Sequence, residues 1–256
     1  MAADPQVLDR AWRLWASVII IGILVMGGLI GFIVLPMAWA PEPPAVVQSA
    51  QPAQGNAQPA SRIVWSSTLL TKLGRSGAQT PPATVQVCAG CHGAQGISSS
   101  PTFPNLAGQS AAAIYKALQD YRDGTRSSPI MAPMAKMLTD DQVVEVAAYF
   151  SRLPRGDLDA QKAASPEPRV VKLVESGDPQ RALPPCTGCH GVKAGGPIET
   201  PTLAGQHEEY LLTQLRLFAR GERRDDLFGR MRTVAAALGD QEMQQLAVYY
   251  ANEARE

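Results

Sequence analysis

Cys88-Ala89-Gly90-Cys91-His92 is one of two copies of the pentapeptide Cys-x-x-Cys-His in this chain, and Cys186-Thr187-Gly188-Cys189-His190 is the other. The two copies contain all four cysteines of the 256-residue chain and two of its three histidines. This spacing is the attachment signature of c-type haem, in which two thiols add to the vinyl groups of one porphyrin. The adjacent histidine then binds the iron as its proximal ligand. The sequence therefore predicts two covalent haems, on Cys88 with Cys91 and on Cys186 with Cys189, with His92 and His190 as iron ligands.

Other uses of four cysteines fit this chain less well. A structural zinc site also takes two Cys-x-x-Cys pairs, but these usually lie about 15–20 residues apart, whereas 94 residues separate the two motifs here. A thioredoxin-like redox pair requires a βαβ setting, and no such pattern is present. Disulfides between the motifs would leave the adjacent histidines unexplained.

Each motif is followed by the same downstream pattern, which reveals an internal repeat. Pro104-Asn105-Leu106-Ala107-Gly108-Gln109 corresponds to Pro201-Thr202-Leu203-Ala204-Gly205-Gln206. The offset between the copies is 98 at the first cysteine, 97 at this segment and 100 at the helix that begins after Leu138 and Leu238. Offsets so nearly constant indicate two tandem copies of one domain, with small insertions in loops.

The local signals in both copies are helical, and no alternating strand pattern is present. Thr139 with Gln142 forms a capping box, and two apolar stripes at helical spacing follow. The first stripe contains Val143, Val144, Val146, Ala147 and Phe150, and the second contains Leu211, Leu212, Leu215 and Phe218. A domain of about 90 residues has a small core, and a covalent porphyrin would enlarge it. We therefore predict an all-α protein.

The tandem halves resemble the cytochrome c4 family, dihaem proteins built from two class I cytochrome c domains. The resemblance covers residues 81–254, and it implies one domain at 81–155, a second at 156–256 and one covalent haem c in each. It also implies that the carbonyls of Pro104 and Pro201 hold the ring N–H of the proximal histidines. The chain departs from the family at its N-terminus, where members usually carry a cleaved signal peptide.

The sixth iron ligand must be chosen among several methionines. Aligning the copies at Leu138 and Leu238 places Met131 opposite Met231, at the point where the family has its axial methionine. We predict these two as ligands. The alternative is that Met134 binds the first iron and Met131 is a packing residue. Methionine raises the haem potential, and it fills the position that a substrate would need, so we expect no catalysis by this chain.

The N-terminal region predicts a membrane anchor. Residues 14–39 carry no charge, and as a helix they would span about 39 Å, enough for a hydrocarbon core of about 30 Å. Arg10 and Arg13 precede the span, and the next basic residue is Arg62. The positive-inside rule then keeps residues 1–13 cytoplasmic. We expect a single-pass protein of the bacterial inner membrane, with the haem domains on the periplasmic side, where haem c is attached.

Residues 40–80 are expected to connect this anchor to the first haem domain. The part up to residue 61 is rich in Pro, Ala and Gln and predicts an extended tether. Residues 62–80 remain ambiguous between a short helix on the first haem domain and one that binds a partner. Beyond the tether, residues 62–155 hold nine Lys and Arg against five Asp and Glu, whereas residues 156–256 hold twelve against fifteen. The opposite signs either direct the two domains to different partners or belong to ordinary solvated faces.

Three functions fit these patterns. The first is a tethered carrier that passes single electrons from a quinol-cytochrome c reductase or a dehydrogenase to a terminal oxidase. The second is a fixed dihaem subunit of a membrane oxidoreductase complex. The third, an enzyme such as a dihaem peroxidase or a thiosulfate-type oxidoreductase, requires an open iron position and is disfavoured. We expect no nucleic acid and no small-molecule substrate, and we interpret the remaining histidine, His207, as a surface residue at a helix start.

The haem content is directly testable. The purified chain should keep its colour after acid–acetone extraction and give a haemochrome ratio near two per polypeptide, because thioether bonds survive this treatment. The double substitution of Cys88 and Cys91 by serine should bring the ratio close to one. A chain that contains zinc and no haem would contradict the prediction.

Overall fold

The computed structural model describes residues 12–13, 15–26, 61–75, 81–155, 166–191 and 197–253. The chain divides into two units, Met1–Ala57 and Gln58–Glu256. In the first unit, residues 15–26 are helical. Their large apolar side chains, from Trp15 to Met26, are 57–69% exposed. No helix within the described ranges has both the length and the apolar character needed to cross a membrane. The span predicted at 14–39 and the tether after it fall largely outside those ranges.

The second unit is all-α and contains two helical domains, as the sequence predicts. The part of the chain that the structure describes has no β-strand, only an isolated antiparallel bridge between Asp178 and Leu183. Within the described ranges, the first domain contains the helices α1 (Ser67–Arg75), α2 (Ala83–His92), α3 (Ala111–Asp123), α4 (Met131–Lys136) and α5 (Asp140–Arg152). The second domain contains α6 (Pro168–Ser176), α7 (Thr187–His190), α8 (Glu208–Ala219), α9 (Arg230–Ala236) and α10 (Asp240–Asn252), with short 3₁₀ turns at Pro179–Arg181 and Leu227–Gly229.

The segment before the first haem motif belongs to the first domain. Helix α1 packs on α5 and α3, and its Leu73 is buried in the same core as Val85 and Phe150. Helix α6 takes the equivalent place in the second domain, where it packs on α10 and buries Val174. For residues 62–75, the structure therefore favours the first of the two alternatives, a helix on the haem domain.

The helices form where the sequence places their caps and apolar stripes. Thr139 Oγ1 accepts the N–H of Gln142 at 3.3 Å, and Gln142 Oε1 accepts the N–H of Thr139 at 2.9 Å. Both halves of the predicted capping box are thus present. All five residues of the first apolar stripe are buried. In the second stripe, Leu211 and Phe218 are buried, and Leu212 and Leu215 pack against the core that contains Leu211.

The repeated Leu-Ala-Gly-Gln segments form matching turns. Gly108 and Gly205 both have φ of +66°, a conformation that favours glycine. A Cβ atom at Gly108 would lie 2.2 Å from Cγ of Arg155. Each glycine donates its N–H to the closing helix of its own domain, to Phe150 O at 3.0 Å and to Tyr250 O at 2.7 Å. The turn therefore fixes the glutamine that follows.

Buried charges join the two domains. The side chain of Lys116, in α3, donates to Asp120 Oδ2 and to the main-chain carbonyl of Asp225 in the second domain. Arg126 donates to the second domain at Tyr210 OH (2.9 Å) and Gln214 Oε1 (3.0 Å). Only 3–7% of the Asp225 and Arg126 side chains is exposed. Because a buried ion without partners is very costly, these contacts tie the two domains into one body.

Asp225 supplies the carboxylate that arginines of both domains share. Its carboxylate lies 2.7 Å from Nε of Arg223 and 3.8 Å from Nε of Arg126. Burial works to raise the pKa of the Asp225 carboxyl, but the guanidinium groups of Arg223 and Arg126 outweigh burial and hold the pKa well below its ordinary value. Asp225 is therefore ionised at neutral pH.

Asp225→Asn should destabilise the protein by about 3–5 kcal/mol at pH 7, because it leaves two arginines without their buried counter-ion. The folded-state pKa of Asp225 is depressed, so its contribution is complete above the unfolded value near 3.9 and is lost as pH falls through the folded value. The difference from the wild type should therefore shrink below about pH 4. Denaturant unfolding between pH 3 and pH 7 measures it.

Glu222→Gln is the matched control for that experiment. Glu222 lies three residues away and pairs with Arg220, but both side chains are more than half exposed. Solvent screens such a pair, so this variant should unfold close to the wild type. Equal losses in the two variants would contradict the role given to Asp225.

Candidate functional site

The cysteines of each motif lie within one turn of a helix. Cys88 and Cys91 are three residues apart on α2, so they project from the same face. Cys186 and Cys189 are placed in the same way at the start of α7. In both motifs the first cysteine is partly buried against its domain core and the second is exposed. All four are free thiols, as attachment of a porphyrin requires.

The two histidine rings make the same hydrogen bond through Nδ1. His92 Nδ1 lies 2.8 Å from Pro104 O, and His190 Nδ1 lies 2.8 Å from Pro201 O. Because a carbonyl can only accept, each Nδ1 carries the proton, and the Nε2 lone pair is left for iron. Burial lowers the pKa of both histidines, against the opposing effect of the proline carbonyls, and keeps the rings neutral. The geometry that the resemblance implies for Pro104 and Pro201 is present in both domains.

The donor set fits haem c. Each site offers two thiols and one histidine nitrogen already oriented by a main-chain carbonyl. The indole Nε1 of Trp65 is buried and finds no hydrogen-bond acceptor within the described ranges. A prosthetic group with carboxylates can satisfy such a donor. No cluster of three or more His, Cys, Asp or Glu side chains in those ranges could hold another metal ion.

The predicted axial methionines occupy equivalent positions. Met131 begins α4, and Met231 lies in the first turn of α9. The register is fixed by Ala135 and Ala235, which are 100 residues apart and both fully buried. Met131 packs against the first core, whereas Met137 is 66% exposed. Ligation by Met131 and Met231 stays a prediction, with Met134, partly buried on the same helix, as the alternative.

The glutamine that ends each repeated turn crosses to the other domain. Gln206 Oε1 accepts the N–H of Asn105 at 2.8 Å, and Gln206 Nε2 donates to Asn105 O at 3.0 Å. Gln109 does the same with Thr202, at 3.1 Å and 2.7 Å. Asn105 and Thr202 directly follow the two prolines that hold the histidines. We call these two paired contacts the glutamine clamps.

The next residue along each turn also bridges the domains. Ser110 Oγ donates to Ile198 O at 3.0 Å, and His207 Nε2 lies 3.1 Å from Ser98 O. His207 is at the helix start, as predicted, but it is an interdomain contact rather than a free surface residue. A cavity of about 370 Å³ opens beside these contacts and is lined by Gln109, Thr202 and Cys189. The interface therefore borders the second haem site.

Phe228 is a further residue that sequence reasoning missed. Its φ is +58°, which is rare for an aromatic residue, and its side chain is 85% exposed. It lies three residues before Met231, with the Arg230 guanidinium 5.1 Å from its ring centroid. The sequence Phe228-Gly229 does not predict a positive φ at Phe228. In such a pair the glycine is the residue that usually adopts positive φ.

Comparisons with known proteins agree with this arrangement. The cytochrome c family model matches residues 82–154 and 183–252. A thiosulfate dehydrogenase electron acceptor from Stutzerimonas stutzeri (strain A1501) is 37% identical over 71% of this chain and 84% of its own length. A cytochrome c4 from Thiocapsa roseopersicina is 39% identical over 64% and 85%. The crystal structure of reduced recombinant cytochrome c4 from Pseudomonas stutzeri superposes with a TM-score of 0.58 at 31% identity, over 72% of this chain and 98% of that one.

Met231→His should lower the potential of the second haem and remove its sulfur-to-iron charge-transfer band, because imidazole favours ferric iron more than a thioether does. Met131→His should do so for the first haem. Spectroelectrochemistry on each variant measures both effects. Met137→His, at the exposed position directly after α4, should leave the potentials of both haems unchanged. An effect from Met134→His in place of Met131→His would assign the first ligand to Met134.

Proposed function

The chain belongs to the cytochrome c family, as one of its tandem dihaem c4 members, and from this premise we propose that it is a membrane-tethered electron carrier. It holds two haem c groups and transfers electrons. We place it in the bacterial inner membrane, with both haem domains on the periplasmic side. In this position it accepts single electrons from a quinol-oxidising complex or a dehydrogenase and delivers them to a terminal oxidase.

The observation that carries this proposal is that the two histidines make the same hydrogen bond, each in its own domain. In both domains a proline carbonyl lies 2.8 Å from Nδ1, and a methionine stands at the same place in the repeat. Two iron sites with a complete ligand set suit electron transfer, because no coordination position is left for a substrate. The bound haems supply the one-electron redox couple. The protein fixes the ligands, so that little rearrangement accompanies oxidation and reduction.

The N-terminal sequence supports the tether. The uncharged residues 14–39 are long enough to cross a bilayer, and the exposed apolar side chains at 15–26 are those that a lipid phase would cover. The two arginines before the span orient it with the haem domains outside the cytoplasm. The Pro/Ala/Gln-rich residues that follow give the domains reach over the membrane surface.

The surface beside Met231 supports docking of an acidic redox protein. Asp225 and Asp226 of this loop are buried, and Asp226 is paired with Arg232 at 2.7 Å. Arg224 and Arg230 are exposed, and the Arg230 guanidinium lies 5.1 Å from the ring centroid of Phe228. The loop thus presents the apolar side chain of Phe228 beside exposed arginines, with Glu222 as its exposed acidic residue, and an apolar centre with a charged rim is the usual anatomy of a docking surface.

A dehydrogenase is a suitable donor for this surface. One relative is named for accepting electrons from thiosulfate dehydrogenase, which supports an enzyme of that class as a donor here. The alternative is that the chain is a fixed subunit of such a complex. Catalysis would then lie in other chains, and the tether would serve only to connect the anchor to the haem domains.

A variant that begins near Arg62, behind a cleavable signal, should be soluble, hold both haems and accept electrons from a chemical reductant. It should support respiration poorly unless overproduced, because tethering raises the effective local concentration. Shortening residues 41–61 should slow electron delivery once the tether no longer spans donor and acceptor. Oxygen uptake by membranes measures both effects. A shortened tether that works as well as the native one would favour the fixed-subunit alternative.

A further inference from the structure

One peptide group in each domain faces both a haem ligand and the other domain. The carbonyl of Pro104 and the N–H of Asn105 belong to a single planar unit. Its oxygen accepts His92 Nδ1–H at 2.8 Å, and its N–H donates to Gln206 Oε1 at 2.8 Å. The unit formed by Pro201 and Thr202 repeats this arrangement, with His190 on one side at 2.8 Å and Gln109 Oε1 on the other at 3.1 Å.

Each clamp fixes its target at two points. Besides accepting the N–H, the glutamine side chain donates to the carbonyl of the same residue, at 3.0 Å for Asn105 and 2.7 Å for Thr202. Asn105 Nδ2 adds a third bond, to Gly205 O at 3.1 Å. A planar peptide held on its N–H side has little freedom to rotate. Its carbonyl therefore keeps its aim at the histidine.

We propose that Gln109 and Gln206 are positioning residues that act on the iron ligand of the opposite domain. Gln206, in the second domain, sets the hydrogen bond of His92 in the first, and Gln109, in the first, sets that of His190 in the second. The inference rests on the two haem sites and is independent of the partners and of the membrane anchor. The interface between the domains is thus part of the surroundings of both irons.

The direction of the effect follows from hydrogen-bond polarisation. An acceptor on the N–H side of a peptide group makes its carbonyl oxygen a stronger acceptor. A stronger acceptor on Nδ1–H makes the histidine a more basic ligand, which favours ferric iron and lowers the haem potential. Loss of a clamp should therefore raise the potential of the haem in the other domain.

The two clamps should differ in strength. Gln206 and Asn105 are both buried, at 6% and 5% exposure, so no water can replace a lost contact. Gln109 and Thr202 are half-buried, and water can partly restore the bond to the Thr202 N–H. Loss of Gln206 should therefore raise the potential of the first haem by more than loss of Gln109 raises the potential of the second.

The test uses Gln109→Met and Gln206→Met in the full-length haem-loaded protein, because methionine fills a similar volume without hydrogen bonds. The midpoint potential of each haem is measured by spectroelectrochemistry. Nuclear magnetic resonance of the haem protons next to Cys88 and Cys186 distinguishes the two haems. The expected pattern is crossed: Gln206→Met raises only the potential of the first haem, and Gln109→Met raises only that of the second. Hydrogen exchange of the histidine ring N–H should accelerate at the same haem.

Ser110→Ala and His207→Ala are the matched controls. Each removes a side chain that crosses the same interface next to a clamp but does not contact the histidine-bound peptide groups. They should lower stability and leave both potentials unchanged. If Gln206→Met does not retain haem, the half-buried Gln109 decides the question. Potentials that stay unchanged in the Gln109 variant, that shift in its own domain, or that shift equally in the Ser110 control would overturn the proposal.

Discussion

The hydrogen bond from each histidine ring to a proline carbonyl is the contact on which the architecture depends. A histidine adjacent to a bound cysteine has its main chain fixed, but its ring can still turn. The carbonyl that stops this rotation comes from a loop 11 or 12 residues further along the chain. That loop must be held in place, and a loop held only by its own turn would be a weak support. In this protein the closing helix holds it from one side and the other domain from the other.

The interface therefore combines two kinds of polar contact. Around the prolines the contacts are neutral and reciprocal, with each glutamine bonded to main-chain atoms of the opposite copy. Around Asp225 they are ionic and follow no symmetry, since Lys116 stands opposite Thr213 in the repeat and Tyr210 opposite Ala113. Neutral main-chain contacts can define geometry without a net charge beside the iron. The ionic contacts, which need exact counter-ions when buried, add specificity for one docking of the domains.

Much of the fold could be predicted from the sequence because its signals are local. The capping box at Thr139 and the stripe from Val143 to Phe150 depend on residues within a few turns of one another, and the structure contains both of them. The Cys-x-x-Cys-His spacing defines the haem sites for the same reason. The packing of residues 62–75 could not be decided from the sequence, because an apolar helical segment does not identify what covers it.

The interdomain contacts were less accessible from the sequence. The repeated Leu-Ala-Gly-Gln was visible as a repeat, but repetition does not reveal that its glutamine serves the opposite copy. The strongest clue was a break in the repeat: Lys116 and Asp120 lie on α3, where the second copy has Thr213 and Leu217 on α8. A charge on a helix face that is otherwise apolar indicates a polar partner. The identity of that partner depends on how two domains dock, which no local pattern encodes.

The buried ion pairs take their partners from both copies, and this limits how such a protein can evolve. Arg126 of the first copy shares the carboxylate of Asp225 with Arg223 of the second, and the glutamine of each copy holds the histidine loop of the other. A descendant that lost either half would keep a histidine loop without its support, and one that lost the second half would also keep the buried Arg126 without its anion. Duplication here is hard to reverse, because the descendants of the two original units are each incomplete alone and selection acts on them as one gene.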